Sequence, residues 1–241
     1  MYIEGKNATL EALKSGTTIN KILVQSDQQK ACSQIVALAK QAKVRVDFVD
    51  KRVLDSKSQT KRHQGVLAET TEYEYSSLDD IFEKAEKQGQ APFIVILDGI
   101  EDPHNVGAII RTCECVGVHG IIIPQYRACL INETVIKTSA GATANMNVCK
   151  VTNINQTIDE LKSRGVWVYG LELGGNDIYK TNLTGSVALV IGSEGKGVSE
   201  LTKKKCDEIV SLPMYGKINS LNASVATAVA VYEIKKQRNG L

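Results

Sequence analysis

No stretch of this chain is apolar for long enough to span a bilayer. The start, MYIEGKNATLEALKSG, carries acids where a signal peptide would be basic and then apolar. Paired-cysteine spacing is missing as well. The chain has 6 Cys, but Cys113 and Cys115 stand two apart rather than as CxxC, and no His cluster accompanies them. Without a secretion signal, such cysteines read as buried thiols in a reducing cytosol, not as disulfides or zinc ligands. The expectations are a cytoplasmic protein with no metal and no membrane partner. A large charge of one sign is lacking too: 29 Lys and Arg face 27 Asp and Glu, so the net charge of +2 only mildly favours an anionic partner. Repeats and low-complexity tracts are absent.

What is present is an ordinary globular composition, with 43% hydrophobic and 23% charged residues over 241 positions, enough for one large domain or two modest ones. GKNATLEALKSG reads as a short helix, INKILVQ as a strand, 29–42 as a helix, and VRVDFVD and GVLAETT as strands. These make a small αβαβ unit over residues 1–72. The segment EYEYSSLDDIFEKAEKQGQAP holds a helix over Leu78 to Lys87 between polar flanks, and 73–92 reads as a linker. From 93 to 241 the pattern changes. FIVILDG is nearly unbroken in apolar residues, as a strand buried on both faces must be, and HGIIIP, VWVYGLEL and VALVIG follow with helical stretches between them. That alternation predicts an α/β domain with a parallel sheet and its ligand at the C-terminal strand ends.

Three motifs follow three of these strands. ALVIGSEGKGVSE places Gly192, Gly195 and Gly197 after a strand, yet it is no phosphate cradle. Val198 stands where a P-loop needs Lys, Glu200 stands where a dinucleotide fingerprint needs its third Gly, and Glu194 would repel a triphosphate. The loop suits close backbone approach by something not strongly anionic. In DGIEDPHNVGAIIRTCECVG, Asp102-Pro103 forces a turn, Asn105 reads as a helix cap or a site residue, and Gly107 lets backbones approach. Arg111, six residues past Asn105, is either a surface ion pair or a group facing back over the loop. In SLPMYGKINSLNASVATAVAVYE, a turn around Gly216 leads into a small-residue helix from Ala223 to Tyr232; Leu212, Met214 and Leu221 are core residues, a grip for a flat base, or both. KRVLDSKSQTKR, before His63, carries five cations against Asp55 and reads as a solvated face or an RNA contact.

Taken together, DPHNVGAIIRT, IGSEGKG and LPMYGKINSLNASVA, with KTSAGA between the first two, resemble the SpoU/TrmH family of S-adenosylmethionine-dependent RNA 2′-O-ribose methyltransferases. IEGKNATLEAL and KRHQGV look like the start and end of the small ribosomal-protein-like RNA-binding domain of the subfamily that modifies guanosine in 23S rRNA. The resemblance implies a trefoil-knotted parallel-sheet α/β methyltransferase domain behind a small N-terminal α/β domain. It also implies a homodimer that completes the site, and S-adenosylmethionine as methyl donor. Carried over residue by residue, Asn105, Arg111, Glu194, Ser220 and Asn222 are catalytic. Ile191, Gly192, Leu212, Met214, Ser220 and Leu221 hold the donor, and Asn7, Lys61, Arg62 and His63 bind RNA. A guanidinium has protons to give and no lone pair to accept one; Arg111 is therefore expected to position phosphate and stabilise the developing alkoxide. Alternatives are a tRNA or another rRNA site as target, or a non-catalytic RNA-binding ribosome-assembly factor.

Overall fold

A computed structural model describes residues 2–15, 19–58, 60–70 and 73–240. The chain divides into two compact units, Met1–Glu74 with Asn132–Thr134, and Tyr75–Ile131 with Val135–Leu241. The expected boundary at 72 falls on a position outside the described residues.

The first unit runs β1 (Tyr2–Glu4), α1 (Lys6–Ser15), β2 (Ile19–Gln25), α2 (Ser33–Gln41), β3 (Arg45–Val49), α3 (Lys51–Lys57) and β4 (Val66–Thr70). Its sheet has the order β1-β4-β2-β3, with β2 and β3 parallel and β4 antiparallel to both neighbours. Strand β2 shows why INKILVQ alternates. Ile22 and Val24 pack against Ile35 and Ala39 of α2, whereas Leu23 points the other way, to Leu54 of α3 and Leu67 of β4. Two elements escape the sequence pattern: the three-residue β1, and α3, which forms inside the basic run because Leu54 is fully buried.

The second unit continues with α4 (Leu78–Lys87), β5 (Phe93–Asp98), α5 (Pro103–Val116), β6 (Gly120–Pro124), α6 (Glu133–Thr138), β7 (Asn147–Val151) and α7 (Ile154–Ser163). It ends with β8 (Trp167–Asp177), β9 (Val187–Gly192), α8 (Glu200–Lys205), β10 (Glu208–Ser211) and α9 (Ala223–Arg238). All six strands are parallel, in the order β10-β8-β9-β5-β6-β7. Strand β5 is central and buried up to its last residue: Phe93, Ile94, Val95, Ile96 and Leu97 are each at most 1% exposed, and Asp98 is partly exposed. The segment read as a linker is part of this unit's core. Helix α4 starts on a reciprocal cap, with Ser77 N donating to Asp80 Oδ2 at 2.7 Å and Asp80 N to Ser77 Oγ at 3.2 Å, and it buries Ile81 against Ile94, Ile96 and Ile122.

Strand order reverses beside β5. The chain proceeds from β5 to β6 and β7 on one side, and β9, β8 and β10 fill the other. The last pair of the β5–β9 ladder is Asp98 with Gly192, so the loops after these two strands leave the sheet side by side. Such a switch point opens a crevice at the carboxyl ends of the strands. The cysteine expectation holds for Cys32, Cys113, Cys129 and Cys149, which are buried free thiols, but Cys115 is exposed and Cys206 only partly covered.

Candidate functional site

The glycines after β9 each have a separate steric reason. Residues Ser193 to Gly197 fold back on themselves, with Ser193 N donating to Gly197 O at 3.1 Å and Gly197 N to Ser193 O at 2.9 Å. A Cβ on Gly192 would overlap the Gly197–Val198 backbone, and one on Gly197 would strike the Glu172 carboxylate. Gly195 (φ +84°) and Gly197 (φ +67°) take left-handed backbone. The doubled-back loop is anchored to β5 by Ser199 N, which donates to Asp98 Oδ2 at 3.0 Å.

This loop forms one wall of a cavity of about 720 Å³ that also takes in the end of β8 and the segment leading into α9. Ile191, Gly192, Leu212, Met214, Ser220 and Leu221 all line it. The remaining wall includes Glu172, Glu194 and Lys196, so two carboxylates face one ammonium. A smaller hollow of about 290 Å³ lies between the β5–α5 turn and the same loop, and Ser193, Glu194 and Lys196 line both spaces.

Between the two spaces, three side chains from three chain segments meet. Asn105 Nδ2 donates to Glu194 Oε1 at 3.1 Å, and Asn222 Nδ2 donates to the same oxygen at 2.5 Å and to Asn105 Oδ1 at 3.0 Å. Ala223 N adds a longer bond to Glu194 Oε1 at 3.4 Å. Asn222 also caps α9, its Oδ1 accepting from Ser224 N and Val225 N. The cap on α5 is a correction. Asp102, not Asn105, accepts from His104 N, and the helix begins at Pro103. Asn105 therefore lies within the first turn, 7% exposed, and its amide is free to serve the Glu194 cluster. Gly107 faces α6, where a Cβ would crowd Thr138 and the Val135 carbonyl; the first motif thus packs directly on KTSAGA.

Arg111 stands apart. It lies further along α5 on an exposed face and borders neither space. Six residues at 100° each carry it about 120° around the helix from Asn105. Ser220 reaches the cavity rim but joins no bond of the cluster.

In the first unit, Asn7, Lys61 and Arg62 are exposed. His63 is not: it is 4% exposed, its Nδ1 accepts from Gly65 N at 3.0 Å and its Nε2 lies 2.9 Å from Asp55 Oδ1. The expectation of a direct RNA contact is corrected accordingly. With Nδ1 accepting, Nε2 carries the proton and donates to Asp55, whose pKa this bond lowers. His63 shapes the loop. Glu4 sets that loop from the other side, accepting from Ser58 Oγ at 2.8 Å and from Thr60 N and Oγ1. Sequence reasoning missed Glu172, Asp98 and Glu4. Glu172 reads as the polar member of the alternating VWVYGLEL, and nothing in its spacing ties it to Gly197.

Comparison with known proteins covers both units. Residues 92–232 match the model of the SpoU rRNA Methylase family, and residues 2–76 match that of the RNA 2′-O ribose methyltransferase substrate-binding family. YacO of Bacillus subtilis, whose name places it among TrmH family tRNA/rRNA methyltransferases, is 44% identical over 241 residues, covering 99% of this chain and 96% of the relative. Among solved structures, the SpoU methyltransferase AviRb from Streptomyces viridochromogenes, in complex with the cofactor AdoMet, superposes with a TM-score of 0.65 at 23% identity, over 100% of this chain and 91% of its own. A TrmH/SpoU tRNA modifying enzyme from A. aeolicus gives 0.57 at 29% identity, over 66% of this chain and 85% of its own.

Proposed function

Because this chain belongs to the SpoU/TrmH family of S-adenosylmethionine-dependent RNA methyltransferases, we propose that it methylates a ribose 2′-oxygen of RNA, with a guanosine of 23S rRNA as acceptor. The observation that carries this is the Asn105–Glu194–Asn222 cluster standing beside the large cavity.

The residues present fit the donor. S-adenosylmethionine has a purine, a ribose and a cationic sulfonium but no phosphate, and the cavity offers apolar side chains, close backbone and an excess of carboxylate. Its volume lies within the range of small-molecule sites. Ile191, Leu212, Met214 and Leu221 take the flat apolar face and exclude water, and Gly192 leaves the backbone open to approach. Bound there, the donor supplies an electrophilic methyl group on a positively charged sulfur. Glu194 holds the two amides of Asn105 and Asn222 in fixed orientation, so their geometry is set before substrate arrives. Arg111 binds RNA phosphate and stabilises charge on the ribose oxygen as its proton passes to solvent water.

Arg111 faces away from the cluster of its own chain, and a dimer gives it work. Helix α5 packs on α9, and α9 turns Val225, Val229 and Tyr232 outward, an exposed apolar stripe at helical spacing. In this reading two copies pair over that stripe and each Arg111 serves the other's site. The passage of the 212–222 segment beside the doubled-back loop, joined to it by Asn222 and Glu194, supports the trefoil knot. The segment 1–72 is the RNA-binding domain, and Lys61 and Arg62 meet phosphates beside groups held by Glu4 and His63.

A tRNA target is favoured by the likeness to the A. aeolicus tRNA modifying enzyme, but that likeness covers 66% of this chain. A ribosome-assembly factor without catalysis would have no use for the intact amide–carboxylate cluster. Mapping 2′-O-methyl sites on total RNA from cells with and without the gene tests the proposal. One 23S guanosine is expected to lose its methyl group; loss at a tRNA site instead moves the target, and no loss at any site overturns the reading.

A further inference from the structure

Two carboxylates line the cavity, and Glu194 is accounted for by its amide partners; Glu172 is not. It stands where β8 leaves its ladders. Leu171, opposite Ile191, is the last β8 residue paired with β9. Pairing with β10 jumps from Gly170 opposite Ile209 to Asn176 opposite Val210. Residues 171–175 therefore bulge from the strand, and Glu172 comes first after the last β9 pair, abreast of Gly192. Its side chain turns beneath the doubled-back loop. Oε2 accepts from Val198 N at 2.9 Å and lies 3.4 Å from Lys203 Nζ, with the side chain 21% exposed. Lys203 also reaches Glu200 Oε1 at 3.2 Å, so one carboxylate connects the end of β8, the loop and α8.

We propose that Glu172 is a positioning residue for the methyl donor: its carboxylate holds the 193–198 backbone in the shape that forms the cavity wall. Three glycines in and around the loop leave it little stiffness of its own. Its conformation depends on what pins it. Glu194 pins the outer side through Asn105 and Asn222; Glu172 pins the inner side through Val198 N, a donor on a residue 1% exposed, which would otherwise be buried without a partner. The absent side chain of Gly197 makes room for that carboxylate. The inference rests on the donor-binding reading above, but its first test does not.

That test compares the full chain with Glu172→Ala and with Glu172→Met, which fills the space Ala vacates and keeps the comparison available if Ala does not fold. Hydrogen exchange at the Val198 amide is measured without donor, and S-adenosylmethionine affinity by calorimetry. Both variants are expected to exchange Val198 at least about tenfold faster and to bind the donor about tenfold more weakly, the factor one ordinary hydrogen bond sets. Glu172→Gln keeps an oxygen for Val198 and is expected to recover both values to within about threefold. In turnover the loss is expected in KM for the donor more than in kcat. Unchanged Val198 exchange in Ala or Met, or donor affinity within about twofold of the parent, overturns the proposal. A parent protein that binds no donor overturns the functional reading alone, and the exchange result still decides the role of Glu172.

Discussion

At the scale of single residues, the roles divide between groups that are already held and groups that wait. Asn105, Glu194 and Asn222 are tied to one another, whereas Arg111 is exposed. Arg111→Ala is therefore expected to leave fold and donor affinity intact while transfer falls by at least about 100-fold, the loss typical of removing one donor to a developing oxyanion. Single-turnover methylation with calorimetry checks it; transfer within about threefold of the parent removes Arg111 from the chemistry. A second residue reports on stability. His119 is fully buried, its Nδ1 accepts from Phe93 N at 2.9 Å, and its Nε2 has no partner among the described residues. Burial first, then the charges of Arg238, Lys84 and Lys235, push its pKa down to about 4. Because the unfolded chain takes up this proton near pH 6.5 and the folded one does not until about 4, folding stability falls as pH drops through that window. The loss reaches up to about 3 kcal/mol. His119→Asn, which keeps an acceptor for Phe93 N, is expected to flatten the melting temperature between those limits; an unaltered slope assigns the loss elsewhere.

At the scale of elements, legibility followed burial. Strand β5 was readable because both faces are covered, and α4 because Ile81 and Ala85 recur at helical spacing. Strands β7 and β10 have only five and four residues and edge positions in the sheet, too little pattern to show period two. Helix α3 was hidden by its charges, since one buried leucine, Leu54, is all that marks its inner face. The site was legible where a motif is contiguous and silent where a contact is long-range. The glycine loop announced itself, but Glu172 beneath it did not. The cap read for Asn105 falls instead to Asp102, which leaves the Asn105 amide to Glu194 and Asn222. Helix α9 carries the third prediction. Val229→Asp places a charge in the outward stripe and is expected to convert a dimer to a monomer in light scattering and to lower transfer at least about 100-fold. A dimer that persists excludes this stripe as the interface.

At the scale of the whole molecule, residues 2–76 match a substrate-binding family and residues 92–232 a methylase family. Net charge is small, so the proposed RNA contact relies on local cations, with Lys61 and Arg62 the exposed candidates. Replacing both with Ala is expected to reduce the slope of log affinity against log salt by roughly 1.5, for two lost phosphate contacts, with donor affinity unchanged. An unchanged slope takes this loop out of the RNA interface. The Glu194 carboxylate has one more consequence. Its partners come from chain segments as much as 117 residues apart, and Asn222 is the last of the three to be synthesised. A growing polypeptide can thus complete the sheet's centre early and still lack the crossing point of this cluster, which closes only once Asn222 and α9 are in place. The Asn105–Glu194–Asn222 contacts are in this sense withheld from any chain whose synthesis has not yet passed Asn222.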